Sequence, residues 1–226
     1  MSRIDVKQLC WKLIFRVRYF FGNHFRQKKI VKMRAALKNQ NFTIIASNCC
    51  GAILTHDLGV RFNTPTVNCY FEADDFVRFC ENLPYYLSLE PEFLYWRDQY
   101  PVCGVGDVKI FAMHYKTAQE FVDAWNRRCK RVNFDELFIM MTDRDGFQEA
   151  LLERLNKIPY KKVLFSHKKY ANYPFVCYVK QFKNQACVGD MFKYADIFGN
   201  RYYEKTIDVV RWLNNEEAPN EGGDRG

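Results

Sequence analysis

No Cys-x-x-Cys pair occurs in the 226 residues, and the four histidines, at 24, 56, 114 and 167, lie far apart. A structural zinc site needs four such ligands in short paired spacings, so none is expected. Long hydrophobic runs are missing too. The N-terminal segment never stays apolar long enough to cross a bilayer, and it has no unbroken hydrophobic stretch leading to a small-residue cleavage site. Neither a transmembrane helix nor a secretory leader is read there. Internal repeats are absent. Nine cysteines are present, but the number is odd and they are scattered through apolar or strand-like contexts. They read as reduced, mostly buried thiols of a cytoplasmic protein rather than as a disulfide framework.

What is present is a chain with 48% apolar and 17% aromatic residues, enough to bury a sizeable core in one domain with a terminal extension. Its net charge of +8 is unevenly placed. Residues 1–41 hold eleven Lys or Arg and a single acid, Asp5, a net of +10, whereas the remainder holds 23 bases and 25 acids, a net of −2. In that arm Val6, Cys10, Leu13, Val17 and Phe20/Phe21 fall on one helical stripe, with Lys7, Lys12, Arg16 and Arg18 toward its flanks. A basic amphipathic helix of this kind can lie in the headgroup layer of an anionic membrane, here the inner face of the cell membrane. It can equally dock on the domain with a solvated basic face. Nucleic acid is not an expected partner, because the rest of the chain has no basic stripe or recognisable reading module.

Downstream of the arm, short β-branched or aromatic runs bounded by turn residues alternate with amphipathic stretches. Strands are predicted at 42–47, 66–71, 108–115, 136–143, 161–166 and 175–182, and helices at 73–88, 116–132, 144–158 and 200–215. This order predicts an α/β fold: a layered domain over 42–213 with a mainly parallel or mixed central sheet flanked by helices. The polar end, 214–226, is expected to be disordered.

Ligands of such sheets bind outside the carboxyl ends of the strands. Three predicted strands end in chemically capable residues: Asn48, Cys49 and Cys50; Asp143, Arg144 and Asp145; His167, Lys168 and Lys169. If these strands are adjacent and parallel, the groups converge on one cleft. Cys49, at a helix start, meets the positive end of the macrodipole, which favours the thiolate. His114 and His167, each at a strand end, are the candidate bases, whereas His56 lies two turns along the same helix and out of reach. Gly51 permits close approach of backbone to a ligand. The opposing reading of Cys49 is a buried core thiol. A second chemistry resides in Asp143-x-Asp145, the spacing with which many metal-dependent glycosyltransferases hold a divalent cation against a sugar-nucleotide diphosphate. Arg127, Arg128, Lys130 and Arg131 on the preceding helix can hold phosphate. Asp-Arg-Asp-Gly is equally an ordinary turn and helix cap.

The runs SNCCGAILTHDLGVRFNTPTVNCYF, DVKIFAMHYKTAQEFVDAWNRRCKRV and KKVLFSH resemble the bacterial domain-of-unknown-function family nineteen-nineteen, whose members are often labelled exopolysaccharide biosynthesis proteins. The resemblance covers about residues 41–213. The family's Asn-Cys-x-Gly signature falls on Asn48, Cys49 and Gly51, its Pro-Thr-x-Asn turn on Pro65, Thr66 and Asn68, and its His-Tyr pair on His114 and Tyr115. Its Trp-x-Arg-Arg segment falls on Trp125, Arg127 and Arg128, with Arg131 one turn further on. Thr64 stands where members often have Ser, and Ala52 where a second Gly often follows. A more distant likeness, in the Cys after the first strand and the Arg-Arg-x-x-Arg helix, is to bacterial domains taken for papain-like cysteine hydrolases. Residues and resemblance together point to a transferase of exopolysaccharide or capsule biosynthesis acting on a sugar-linked substrate. Cys49, His114, His167 and Asp143 are its expected catalytic groups. Asn48, Gly51, Asn68, Tyr115, Arg127, Arg128 and Arg131 are expected to bind substrate, and Asp143 and Asp145 a divalent cation with a sugar nucleotide. The alternatives are a cysteine-nucleophile acyltransferase or hydrolase acting on a glycan, and a non-catalytic glycan- or membrane-binding protein.

Overall fold

The computed structural model describes residues 6–216, the side chains of 6–13, 15 and 18 excepted. Helix α1 (Val6–Ala36) leads into β1 (Thr43–Ala46) and α2 (Cys50–Leu58). Next come α3 (Ala73–Glu81), α4 (Leu83–Ser88) and three strands joined by tight turns, β2 (Glu92–Arg97), β3 (Tyr100–Val105) and β4 (Val108–Phe111). The second half alternates α5 (Ala118–Cys129), β5 (Leu137–Thr142), α6 (Leu151–Lys157), β6 (Lys161–Ser166), β7 (Val176–Tyr178) and α7 (Val209–Leu213). Strands β1, β5, β6 and β7 pair in that order and all run parallel, while β2, β3 and β4 form a small antiparallel sheet. The protein is therefore α/β, with a parallel four-stranded sheet flanked by helices.

Side-chain alternation along the parallel strands sorts the core into two layers. Ile45, Ile139, Met141 and Leu164 point to one face, where Phe76 and Phe79 of α3, Phe121 and Trp125 of α5 and Leu155 of α6 cover them. Ile44, Ala46, Phe138, Met140, Val163 and Phe165 point to the other, against Leu54 and Leu58 of α2, Met33 of α1 and Trp212 and Leu213 of α7. With both faces covered, every residue of β5 is buried. That is why these strands read as continuous apolar runs rather than as alternating ones.

Several predicted elements come out differently. The run 66–71 makes only an isolated bridge, Tyr70 to Phe111, because Asn68 adopts a left-handed φ of 63° that ends the extended path. The strand predicted at 108–115 stops at Phe111 and belongs to the antiparallel sheet. That sheet's β2 and β3 lie in a stretch where no strand was read. The single helix expected over 73–88 breaks at Asn82 (φ −141°), with Pro84 in the first turn of the second piece. Helix α6 begins only at Leu151, after two successive left-handed residues, Asp145 and Gly146. The run 175–182 is a three-residue strand followed by a 3-10 turn at Lys180–Phe182, and 200–215 contains a 3-10 turn (Tyr202–Lys205) before α7, whose N-cap Asp208 accepts from Val210 and Arg211.

Helix α1 packs on the domain through Gly22, Arg26, Ile30, Met33 and Leu37, all buried. Arg26 is 2% exposed and pairs with Asp57 at 2.5 Å and Glu204 at 2.6 Å. Lys29 adds a second contact to Glu204 at 2.8 Å, and Arg201 a second to Asp57 at 3.0 Å. No helix among the described residues is long and apolar enough to cross a membrane. The side chains of Val6, Cys10 and Leu13 of the apolar stripe, and the polar end from residue 217, lie outside what is described.

Candidate functional site

The carboxyl ends of β1 and β5 meet where Asn48 Nδ2 donates to Thr142 Oγ1 at 2.8 Å. Beside this contact opens a cleft of about 460 Å³, within the range that takes a small ligand. Asn48, Cys49, His114, Arg144 and Asp145 line it, together with Tyr70 and Tyr100 on one side and the 189–192 segment on the other. Of the residues predicted from the sequence, the cleft thus gathers Asn48, Cys49, His114 and Asp145.

Asp143 lies behind the cleft wall, between the lining residues Thr142 and Arg144. Its carboxylate is buried and takes four hydrogen bonds: Oδ2 accepts from Ser166 Oγ (2.8 Å), from His167 N (2.7 Å) and from His167 Nδ1, and Oδ1 accepts from Val188 N (2.7 Å). A carboxylate has no proton to donate, so Nδ1 carries the hydrogen, and in the neutral imidazole Nε2 is then the acceptor. Strand order explains the pair. β5 and β6 are neighbours, so the residues just past their ends are held side by side. Protein donors thus engage both oxygens of Asp143, which sets it apart from the Asp-x-Asp chelate read from spacing. Asp145 faces the cleft on a left-handed turn, without Asp143 beside it. Among the described residues no three His, Cys, Asp or Glu side chains gather to hold a metal ion.

Cys49 stands at the N-cap of α2, as its position requires, yet the thiolate argument fails there. Burial pushes its thiol above the ordinary 9.0, and its Sγ lies 3.9 Å from the carbonyl oxygen of Cys69, an acceptor that disfavours negative charge. Asn48 Oδ1 accepts the Cys50 N–H at 3.1 Å and so occupies a helix-start donor that a thiolate would use. Desolvation outweighs the helix dipole. Cys50 is driven to about 12 by full burial. Iodoacetamide at neutral pH should therefore label Cys49 slowly, with a rate that is still climbing at pH 9.0, where an ordinary thiol begins to level off. Fast, selective labelling of Cys49 near pH 7 would contradict this assignment. Gly51 faces β1 rather than the cleft, since an added Cβ there would stand 2.6 Å from Ala46 Cβ. Its glycine is needed for helix-strand packing, not for ligand approach.

The remaining predicted residues divide between support and a separate surface. Asn68 is exposed, and its carbonyl holds His114 N at 3.3 Å, anchoring the loop that presents His114. Tyr115 donates to Val67 O at 2.9 Å and accepts from Arg128 Nη1 at 2.6 Å. Arg131 donates to Phe62 O, and its pKa is lowered by desolvation and by Arg61, Arg127 and Arg128 around it. None of Tyr115, Arg127, Arg128 or Arg131 lines the cleft. The arginines form a cationic cluster at the far end of α5. Tyr70 and Tyr100 are lining residues that the sequence analysis missed. Their hydroxyls lie 3.2 Å apart, and Tyr70 stacks at 4.5 Å on Phe111, whose ring also receives Arg97 at 5.1 Å. The available signal was the Asp98-Gln99 turn between aromatic runs, with Asp98 at φ 52°, which makes the hairpin that delivers Tyr100.

Sheet, cleft and Asp-His pair together define an α/β protein with a ligand-sized site at the carboxyl edge of a parallel sheet. The chain belongs to the family described as Domain of unknown function (DUF1919), which matches residues 21–214. A protein of Haemophilus influenzae named only as uncharacterized is 40% identical over 196 residues, which cover 86% of this chain and 91% of that protein. The family match opens at the part of α1 that packs on the domain.

Proposed function

We propose that the protein is a transferase acting on a sugar-linked substrate in bacterial surface-polysaccharide synthesis, with His167 as general base. The observation that carries this reading is the Asp143–His167 pair at the carboxyl edge of the sheet: Asp143 sits between the cleft-lining Thr142 and Arg144, and the half-buried His167, bonded to it, stands just past the end of the neighbouring strand β6. A carboxylate that fixes the imidazole tautomer and leaves Nε2 as an acceptor is the arrangement general-base catalysis needs. Tyr70, Tyr100 and Phe192 offer flat apolar faces to a sugar ring, while Arg144 offers a cationic donor to a phosphate or carboxylate and His114 a ring N–H. In the step envisaged, Nε2 takes the proton of an acceptor hydroxyl as that oxygen bonds to the electrophilic centre of the donor. The leaving group departs with the bonding electron pair and recovers the proton from the imidazolium. A cytoplasmic setting is supported by the eight described cysteines, none of them in a disulfide.

The test is a panel of sugar nucleotides screened for binding by calorimetry and for release of nucleoside diphosphate. His167→Gln should lower turnover by about 10²–10⁴-fold with binding retained. Arg144→Ala should weaken binding. Turnover that survives in His167→Gln would remove His167 from the chemistry. Binding without any turnover in the wild type would favour a non-catalytic glycan-binding protein.

A further inference from the structure

Helix α1 has two unlike sides. One is docked through Gly22, Arg26, Ile30, Met33 and Leu37, all buried. On the other, Ile14, Val17, Phe21 and Phe25 recur at helical spacing and are exposed, with Phe20 beside them 75% exposed. The exposed Lys28 and Lys32 follow on the same stripe. The apolar ridge does not end with the helix. Phe198, 58% exposed, sets its ring against Phe25 at 5.8 Å, next to the exposed Ile197, and Tyr194 meets Tyr19 at 5.3 Å. A contiguous apolar surface this rich in aromatics marks an interaction face.

We infer that this face, α1 with Ile197 and Phe198, docks on the surface of an anionic phospholipid bilayer. Charge decides the occupant. Arg26 and Lys29 are paired with Asp57 and Glu204, but Arg16, Lys28 and Lys32 are exposed and Asp5 is the single acid of residues 1–41, so a second copy of the same helix would bring like charges face to face, whereas acidic lipid headgroups complement them. The helix lies in the interface rather than across it. Aromatic side chains enter the headgroup boundary and lysines remain among the phosphates. The placement also bears on the cleft, because a single stretch of chain supplies Gly189–Phe192 to the cleft wall and Ile197 and Phe198 to the lipid-facing ridge. The inference does not depend on which ligand the cleft takes.

Co-sedimentation of the full chain with phosphatidylglycerol/phosphatidylcholine vesicles tests it. The wild type should pellet with these and not with phosphatidylcholine alone, and about 0.5 M salt should release much of it by screening. Phe20→Glu with Phe21→Glu should reduce partitioning about tenfold or more, and Phe198→Ser by about threefold, each with an unchanged circular dichroism spectrum. These side chains point to solvent and leave the Arg26 contacts intact. Unchanged partitioning in both variants would overturn the proposal, as would equal binding to neutral vesicles. It would also be overturned by a wild type that ignores vesicles but forms a dimer which Phe20→Glu/Phe21→Glu disperses.

Discussion

Arg26→Ala should lower the free energy of unfolding by about 3–5 kcal/mol, measured by urea titration. The guanidinium is the shared counter-charge of Asp57 and Glu204, which are buried with it. Deleting it leaves Asp57 with Arg201 alone and Glu204 with Lys29 alone, two desolvated carboxylates that have each lost their most buried counter-charge, a larger penalty than the loss of an exposed ion pair. Neutralising the partners at the same time, Arg26→Met with Asp57→Asn and Glu204→Gln, should recover a substantial part of the loss. Acid should reveal the same network. Burial by itself raises the Glu204 pKa, but Arg26 and Lys29 outweigh it and hold the group below its ordinary 4.5. A carboxyl whose folded pKa is depressed contributes stability that is fully present above the unfolded value and is lost as pH falls through the folded one. Stability should therefore decline more steeply below pH 4.5 in the wild type than in Glu204→Gln. A cost under about 1 kcal/mol for Arg26→Ala would show that α1 is not held by this contact.

Asp143→Ala should be comparably damaging, about 3 kcal/mol or more, since it strands the Ser166 hydroxyl, two backbone N–H groups and the His167 ring N–H in a dry site. Asp143→Asn preserves the shape but places an amide where a carboxylate accepts four donors. The downfield Nδ1 proton resonance expected for His167 in the wild type should disappear in this variant. If His167 is a general base, Asp143→Asn should also lose turnover to about the same extent as His167→Gln, because the tautomer is no longer fixed. A purely structural Asp143 predicts otherwise. Asp143→Asn would then lose stability while His167→Gln kept full turnover.

Much of the fold was legible before any coordinates. β1, β5 and β6 are short β-branched or aromatic runs between turn residues, and that pattern already implies a strand covered on both faces. The position of Cys49 after β1, of Asp143 after β5 and of His167 after β6 followed from the same pattern, since residues just past parallel strands share an edge. The antiparallel hairpin was not legible. The described side chains of β2 are exposed throughout, so no core-facing alternation marks it, and its pairing rests on a tight turn at Asp98 and Gln99.

The sequence by itself determined which groups stand at the strand ends and that the positive charge collects in residues 1–41. Only the tertiary structure decided what those groups can do. Spacing made Asp143 and Asp145 look like a chelating pair, but the donors that engage Asp143 come from residues 166, 167 and 188, which are distant in sequence. Helix position made Cys49 look like a thiolate, but the burial around it raises its pKa. Charge made Arg26 look like one more solvated base, yet Asp57 and Glu204 draw it into the core. In each case an ionisable group takes its character from solvent exclusion and from partners within about 3–4 Å, and both depend on packing between segments far apart in the chain.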